Sequence, residues 1–283
     1  MIATGVLRRP LLASVALAAA IFASVPIAAG QEELRRDQAS GLQYLEITTG
    51  GAAANDPVPL VVAIHGLGDR PESFRLLLDD LPAKARLVLP RAPMPHGKDG
   101  YSWFDFRADD EEGTAELGEG IRQPAERIAQ LIVALAKQHG GPVRAVVCGF
   151  SQGGMVAFAL AAAHPELVAE AIPVSGYLPS PLWPKERPQA RPLPKILALH
   201  GESDRLVPLE SARWSVEALR SNGYDATLRS WPGVAHALSP PIRAALMTAV
   251  VSAVEEISLP GTVLQGPPPP PIVPAEPPIS AKP

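Results

Sequence analysis

Cysteine is nearly missing from the sequence, which has only Cys148 among its 283 residues. One thiol cannot form an internal disulfide, and it cannot build a thiolate zinc site or an iron–sulfur cluster. The sequence also lacks a large excess of either charge sign, because its 25 basic residues nearly balance its 29 acidic ones. The net charge of −4 offers no basic surface for a polyanion, so nucleic-acid binding is not expected.

Long apolar runs are scarce, and one of them opens the chain. Residues 1–30 hold Arg8 and Arg9, then an apolar run over 11–25, then small residues before Gln31. The run is short for a bilayer span and has no acidic residue, which is typical of a cleaved secretory signal peptide. We expect a secreted or periplasmic protein without a membrane span, exported by either the general or the twin-arginine route. An uncleaved N-terminal anchor is the alternative.

Proline, in contrast, is abundant, with 33 residues in the chain. Ten of them fall within residues 260–283. Proline has no backbone N–H for helix or sheet, so this segment is predicted to be an extended polyproline II tail, either a spacer or a ligand of a proline-binding module. The folded domain is then expected over residues 31–259.

Within that domain, short apolar runs of strand length alternate with helical stretches. Strands are predicted at 60–64, 86–89, 145–148, 171–174, 196–199 and 227–231, and helices at 72–81, 124–138, 152–163, 209–221 and 241–257. Near-continuous apolar strands separated by helices predict an α/β fold, with a mostly parallel sheet covered on both faces. Ligands of such sheets bind at the carboxyl ends of the strands.

One such strand end carries a nucleophile motif. Gly149-Phe150-Ser151-Gln152-Gly153 lies between the third predicted strand and the third predicted helix. This is G-x-S-x-G in a strand, sharp turn and helix context. The turn forces Ser151 into a strained conformation that neighbouring glycines tolerate, and it presents the hydroxyl at a helix N-terminus. We predict Ser151 as nucleophile and Gln152 N–H as an oxyanion donor.

A serine hydroxyl needs a histidine base, and the histidine needs a carboxylate partner. In hydrolases with this motif the acid follows the serine and the histidine comes last. Asp204 follows the fifth predicted strand and His236 follows the sixth, so we predict these as acid and base. His200 precedes the acid and is interpreted as a turn histidine. The nearest alternative acids are Glu202 and Asp225.

The loop after the first predicted strand reads His65-Gly66-Leu67-Gly68-Asp69. Its glycines allow backbone N–H groups to approach a ligand, and a second oxyanion donor is expected from such a loop. We predict Leu67 N–H as that donor. No second histidine stands at metal-ligand spacing from His65, so no metal site is predicted and a surface histidine is the alternative.

The sequence resembles the phospholipase/carboxylesterase family of α/β-hydrolases, which includes the acyl-protein thioesterases. The resemblance rests on five separated motifs in order, namely residues 65–69, 102–105, 149–154, 175–179 and 204–208. It implies the α/β-hydrolase fold, a Ser151, Asp204 and His236 triad, and Leu67 and Gln152 N–H as the oxyanion hole. It also implies a monomeric or homodimeric esterase for small-molecule esters, without a cofactor.

Aromatic residues make up 5% of the chain, but four of them lie within residues 101–106. Trp103 and Phe104, with Phe74, are predicted to contact the substrate. Alternatively, the first two pin their loop to the core. Residues 177–194, where many hydrolases insert a lid, contain six prolines, so no lid domain is expected. The open site favours esters or thioesters with short to medium acyl chains.

Two alternatives to a carboxylesterase stay open. A lysophospholipase or acyl thioesterase would use the same residues on another substrate. A non-catalytic binding protein on the same fold is disfavoured, because a protein that only binds has no need of a complete serine, histidine and aspartate set.

Overall fold

A computed structural model describes residues 33–105, 111–140 and 143–258. The predicted signal peptide (1–30) and the proline-rich tail (260–283) lie outside the described residues. The strands are β1 (Arg35–Arg36), β2 (Gln43–Thr49), β3 (Leu60–Ile64), β4 (Ala85–Arg91), β5 (Met94–His96), β6 (Gly100–Ser102), β7 (Ala145–Phe150), β8 (Val168–Val174), β9 (Lys195–Gly201) and β10 (Asp225–Trp231). The helices are α1 (Pro71–Phe74), α2 (Glu111–His139), α3 (Gln152–Ala163), α4 (Leu209–Ser221) and α5 (Pro240–Ser258), with 3-10 turns at Arg75–Leu77 and Ser180–Leu182.

Eight strands form one sheet in the order β1-β2-β4-β3-β7-β8-β9-β10. β1 and β2 pair antiparallel, β2 joins β4 antiparallel, and the remaining neighbours are parallel. β5 and β6 form a separate antiparallel pair. The mostly parallel α/β sheet expected from the sequence is confirmed, and all six predicted strands are present, most of them a few residues longer than predicted.

The two faces of the sheet bury separate apolar clusters. One face is covered by α2, α3 and α4, and the other by α1 and α5. α3 is central to its cluster, because ten of its twelve residues are buried. Burial contributes about 25 cal/mol per Å² of apolar surface. The clusters therefore hold the sheet rigidly, and with it the loops at its carboxyl edge. No helix within the described ranges is long and apolar enough to span a bilayer.

The predicted helix over residues 72–81 is wrong in extent, because only α1 and one 3-10 turn form there. Phe74, Leu78 and Leu81 are nevertheless buried, at the i, i+4 and i+7 spacing of one helix face. Pro82 follows at once, and a proline disfavours helical geometry at the residue before it. A tight turn thus packs the same apolar side chains without a regular helix.

The predicted start of the second helix at Pro124 is also wrong, since α2 begins at Glu111 and contains Pro124. A proline inside a helix costs roughly 3 kcal/mol through a lost hydrogen bond and a steric clash. Leu117 and Ile121, which precede it, are buried in the core. Their burial, at about 1.5–3 kcal/mol each, offsets that cost.

Candidate active site

Ser151 lies in a sharp turn between β7 and α3, with φ 55° and ψ −118°. This is left-handed backbone that a non-glycine residue adopts only under local constraint. A Cβ atom on Gly149 would overlap the Gly153 carbonyl oxygen, and one on Gly153 would overlap the Ile64 carbonyl oxygen. The Ser151 N–H donates to the Val174 carbonyl oxygen at 2.9 Å. The glycines and this bond to β8 hold the strained turn.

The three side chains predicted as nucleophile, base and acid lie in one hydrogen-bonded row. His236 Nε2 lies 2.9 Å from Ser151 Oγ, and His236 Nδ1 lies 2.7 Å from Asp204 Oδ2. An ionised carboxylate can only accept hydrogen bonds, so His236 must donate to it from Nδ1. The ring proton is therefore on Nδ1, and Nε2 is free to accept the serine proton. The Phe150 ring packs 4.9 Å from the imidazole, centroid to centroid, and restricts its rotation.

The Asp204 carboxylate is buried, yet hydrogen-bond donors face both of its oxygens. Oδ1 accepts the Leu206 and Val207 N–H groups at 3.0 and 2.9 Å. Burial by itself raises the pKa of this carboxyl, but the bonds from His236 and the Val207 N–H outweigh it and hold the pKa below its ordinary value. Asp204 is therefore ionised beside the histidine.

His200 supports this acid, a role that sequence reasoning missed. It is buried rather than a simple turn residue, and its Nε2 donates to the Val207 carbonyl oxygen at 2.8 Å. The same nitrogen lies 3.5 Å from Asp204 Oδ2. Burial lowers the pKa of the ring, so the imidazole is neutral and holds the turn that presents Asp204. Its position at a strand end, four residues before the acid, was the only signal in the sequence.

The alternative acids and the cysteine lie away from His236. Glu202 accepts the Ser230 hydroxyl at 2.8 Å. Asp225 begins β10 at the amino edge of the sheet, opposite Lys195. Cys148 is buried in β7, and burial raises the pKa of its thiol to about 12, which leaves it unreactive.

The two predicted oxyanion donors flank the nucleophile. Gln152 is the first residue of α3, where a backbone N–H has no acceptor within the helix. A Cβ atom on Gly66 would lie 3.4 Å from Ser151 Cβ, so the loop that leads to Leu67 passes directly beside the serine. Leu67 is 39% exposed, and across the described ranges its N–H donates to no protein acceptor.

The predicted substrate contacts are mostly buried. Trp103 and Phe104 are each 2% exposed and pack in the core. This agrees with the alternative interpretation, in which these two side chains pin their loop to the core. Phe74 lies in the other apolar cluster at the end of α1. Their roles in binding substrate stay predictions.

Across the described residues, no group of three or more histidine, cysteine or acidic side chains is arranged to hold a metal ion.

Comparisons with known proteins identify the family and the fold of this chain. The sequence model of the phospholipase/carboxylesterase family matches residues 46–249, a range that includes the serine, the acid and the histidine. A probable carboxylesterase of Oryza sativa subsp. japonica is 30% identical over 200 residues, covering 66% of this chain and 75% of the relative. Acyl-protein thioesterase 1 of Mycosarcoma maydis is 30% identical over 208 residues, covering 65% of this chain and 86% of the relative. The crystal structure of acyl-protein thioesterase 2 of Zea mays shares the fold, with a TM-score of 0.61 at 22% identity over 75% of this chain and 98% of that one.

Proposed function

The chain belongs to the phospholipase/carboxylesterase family of α/β-hydrolases, and from that premise we propose that it is an exported serine carboxylesterase. The observation that carries the proposal is the row from Ser151 Oγ through His236 to Asp204, with hydrogen bonds of 2.9 and 2.7 Å. This row stands at the N-terminus of α3, where the helix dipole and a free N–H favour a developing negative charge.

In the first half of the reaction, Ser151 Oγ attacks the ester carbonyl carbon while its proton passes to His236 Nε2. The carbonyl electron pair moves to oxygen, and the Leu67 and Gln152 N–H groups donate hydrogen bonds to that oxyanion. When the tetrahedral species collapses, the bond to the alcohol oxygen breaks and the alcohol takes the proton from His236. The acyl group is then esterified to Ser151.

In the second half, water replaces the serine as nucleophile. His236 Nε2 takes a proton from the water, and the hydroxide attacks the acyl carbon within the same oxyanion hole. Collapse releases the carboxylic acid, and the proton returns from His236 to Ser151 Oγ. Asp204 stays ionised throughout and stabilises the imidazolium that forms twice in each cycle.

The proposed substrates are carboxylic esters with short to medium acyl chains. Residues 177–194 hold only one 3-10 turn and no lid helix, which leaves the nucleophile reachable from solvent. Leu67 and Leu206, 39% and 58% exposed, extend from the loops that carry the oxyanion donor and the acid. These apolar side chains suit a modest acyl chain at the rim of the site.

Acyl thioesters are a second candidate, favoured by the thioesterase from Mycosarcoma maydis that matches the chain. A thiolate leaves more readily than an alkoxide, so the same site would need no further group to act on them.

Export is part of the proposal as well, because of the charged and apolar pattern in residues 1–30. Mass spectrometry of protein from its natural host should find a chain that begins near Gln31, and an intact Met1 would contradict export.

A series of p-nitrophenyl esters with acyl chains of increasing length tests the enzymatic proposal. We expect turnover to be highest at short to medium chains, and Ser151→Ala to abolish both turnover and labelling by a fluorophosphonate probe. A matched Ser211→Ala variant, on α4 and away from the row, should keep both. Hydrolysis that survives Ser151→Ala would overturn the proposal, and a matched series of thioesters decides between the two substrate classes.

A further inference from the structure

The loop after β3 and the first turn of α3 supply the proposed oxyanion donors, and both contact the same third segment. Trp103 lies in the loop after β6 and is buried between the loop that leads to Leu67 and the first residue of α3. Its indole Nε1–H donates to the His65 carbonyl oxygen at 2.8 Å. Its backbone N–H donates to Gln152 Oε1 at 3.0 Å. Trp103 is thus hydrogen-bonded to a residue in each of the two segments that carry the proposed oxyanion donors.

We infer that Trp103 is a positioning residue for the oxyanion hole, because its two N–H groups hold the segments that present Leu67 N–H and Gln152 N–H. The inference rests on the proposed function, since it assumes that these N–H groups receive the oxyanion. It goes beyond that function by giving a buried aromatic residue, first predicted as a substrate contact, a role in transition-state stabilisation.

The path from Trp103 to Leu67 N–H runs through His65. The Ala92 N–H donates to His65 Nε2 at 3.2 Å, which places the ring proton on Nδ1. Nδ1 then donates to the Gly66 carbonyl oxygen at 2.8 Å. Burial lowers the pKa of His65, which keeps the ring neutral and this tautomer in place.

The Gly66 carbonyl belongs to the same peptide unit as the Leu67 N–H. A trans peptide is planar, and its C=O and N–H point in opposite directions. Holding the carbonyl therefore fixes the direction of the N–H. The Trp103 indole holds the carbonyl of His65 itself and packs its ring 5.2 Å from the imidazole, so it supports both the backbone and the ring of His65. The Asp69 N–H is a second donor to the Gly66 carbonyl oxygen, at 3.3 Å.

The path to Gln152 N–H is shorter. The Gln152 amide is buried, accepts the Trp103 N–H and the Ser102 hydroxyl, and donates from Nε2 to the Phe104 carbonyl oxygen at 2.9 Å. A side chain with all of these partners satisfied cannot rotate without leaving buried polar groups unpaired. The first turn of α3, with the Gln152 N–H, is therefore locked to the loop that carries Trp103.

Removing the indole donor should affect the transition state more than the bound substrate, because the oxyanion forms only during reaction. We expect Trp103→Phe to lower kcat about tenfold to a hundredfold, less than the loss of a whole oxyanion donor. KM should stay within about twofold, and affinity for phenylboronic acid, which forms a tetrahedral adduct with the serine, should fall in parallel with kcat. Gln152→Met keeps the backbone N–H and removes the side-chain acceptor. This variant should also lower kcat while KM stays within about twofold.

Trp183→Phe is the matched control. Trp183 Nε1 also donates to a backbone carbonyl oxygen, that of Leu178 at 2.8 Å, in a loop outside the oxyanion hole. This variant loses the same kind of bond, and its kcat and boronic acid affinity should stay within about twofold of the unmodified enzyme.

Two further arms separate positioning from packing. Replacing Trp103 by β-(3-benzothienyl)alanine keeps the ring shape and removes only the N–H donor, so it should reproduce the loss in kcat even if Trp103→Phe does not fold. A full kcat in the isostere, a rise in KM alone, or an equal loss in Trp183→Phe would overturn the inference. Ser151→Ala separates a failure of the proposed function from a failure of this inference. If turnover does not depend on Ser151, the proposed function is wrong. If turnover depends on Ser151 but the Trp103 variants keep full kcat, only the positioning role is overturned.

Discussion

Two carboxylates at opposite edges of the parallel sheet, the buried Asp204 and the half-buried Glu170, have pKa values shifted in opposite directions. At the carboxyl edge, Asp204 receives hydrogen bonds from two backbone N–H groups and from His236, and its pKa lies below the ordinary value although burial opposes this. At the amino edge, burial raises the pKa of Glu170 on β8 to about 7. Lys195, which is opposite Glu170 in the register, is paired with Glu256 at 2.6 Å.

The difference shows that donors, more than burial, set the charge of these groups. Nearby Glu256 and Asp225 add negative charge around Glu170, and among the residues that the structure describes Lys195 alone opposes them. Asp204 sits instead in a turn whose N–H groups converge on its carboxylate. The carboxyl edge is therefore built to keep a buried charge, whereas the amino edge tolerates a carboxyl that gives up its charge near neutral pH.

Breaking the row of Ser151, His236 and Asp204 at the carboxyl edge should have the largest effect. We expect His236→Ala and Ser151→Ala each to lower kcat by several orders of magnitude on an aryl ester. The double variant should lose no more than either single one, because the two side chains act as one unit. Steady-state kinetics on all three variants measures this, and losses that multiply would show that the residues act independently.

Removing only the charge of Asp204 should have the next largest effect. Asp204→Asn supplies no charge for the imidazolium and allows the wrong tautomer, so we expect kcat to fall about 10³–10⁴-fold. Glu202→Gln removes a nearby carboxylate that contacts Ser230 and not His236, and should leave kcat nearly unchanged. The reverse result would assign the acid to Glu202.

Glu170→Gln tests the amino edge of the sheet. Between pH 4.5, the ordinary value, and about 7, the folded state keeps a proton that the unfolded state has lost. The free energy of unfolding therefore falls as pH rises through this window, and then levels. Glutamine cannot ionise, so the variant should be more stable than the native chain at pH 8, on the order of 1 kcal/mol, and equal to it near pH 4.

Urea unfolding at several pH values measures the effect of Glu170→Gln. Glu217→Gln, on the exposed side of α4, is the control and should follow the native pH profile. A Glu170→Gln profile parallel to the native one would mean that Glu170 is ionised throughout this range.

The smallest effect is expected from deleting residues 260–283. Prolines without N–H donors contribute nothing to a sheet or helix, and the sheet is already covered by α5 on one of its faces. Melting temperature and aryl ester turnover should stay within error of the full chain. A drop of several degrees would show that the tail packs on the domain.

Much of the fold could be predicted because buried parallel strands are continuous apolar runs. β2 was missed because Glu46 interrupts its apolar residues, and only the fold shows that this carboxylate is buried and paired with Arg86 at 2.7 Å. The helix limits failed where local signals competed with burial. Pro124 is tolerated inside α2 because the residues before it bury their side chains in the core.

Residue type and local spacing were enough to predict the nucleophile motif, the order of acid and base, and the alternation of strands and helices. The support of the site is visible only in the folded chain. His65, Trp103 and His200 look like loop residues in the sequence, yet each is buried and binds a backbone group beside a predicted catalytic or oxyanion residue. The Trp103 contact joins segments 38 residues apart, and it exists only once the parallel sheet brings its strand ends to one edge.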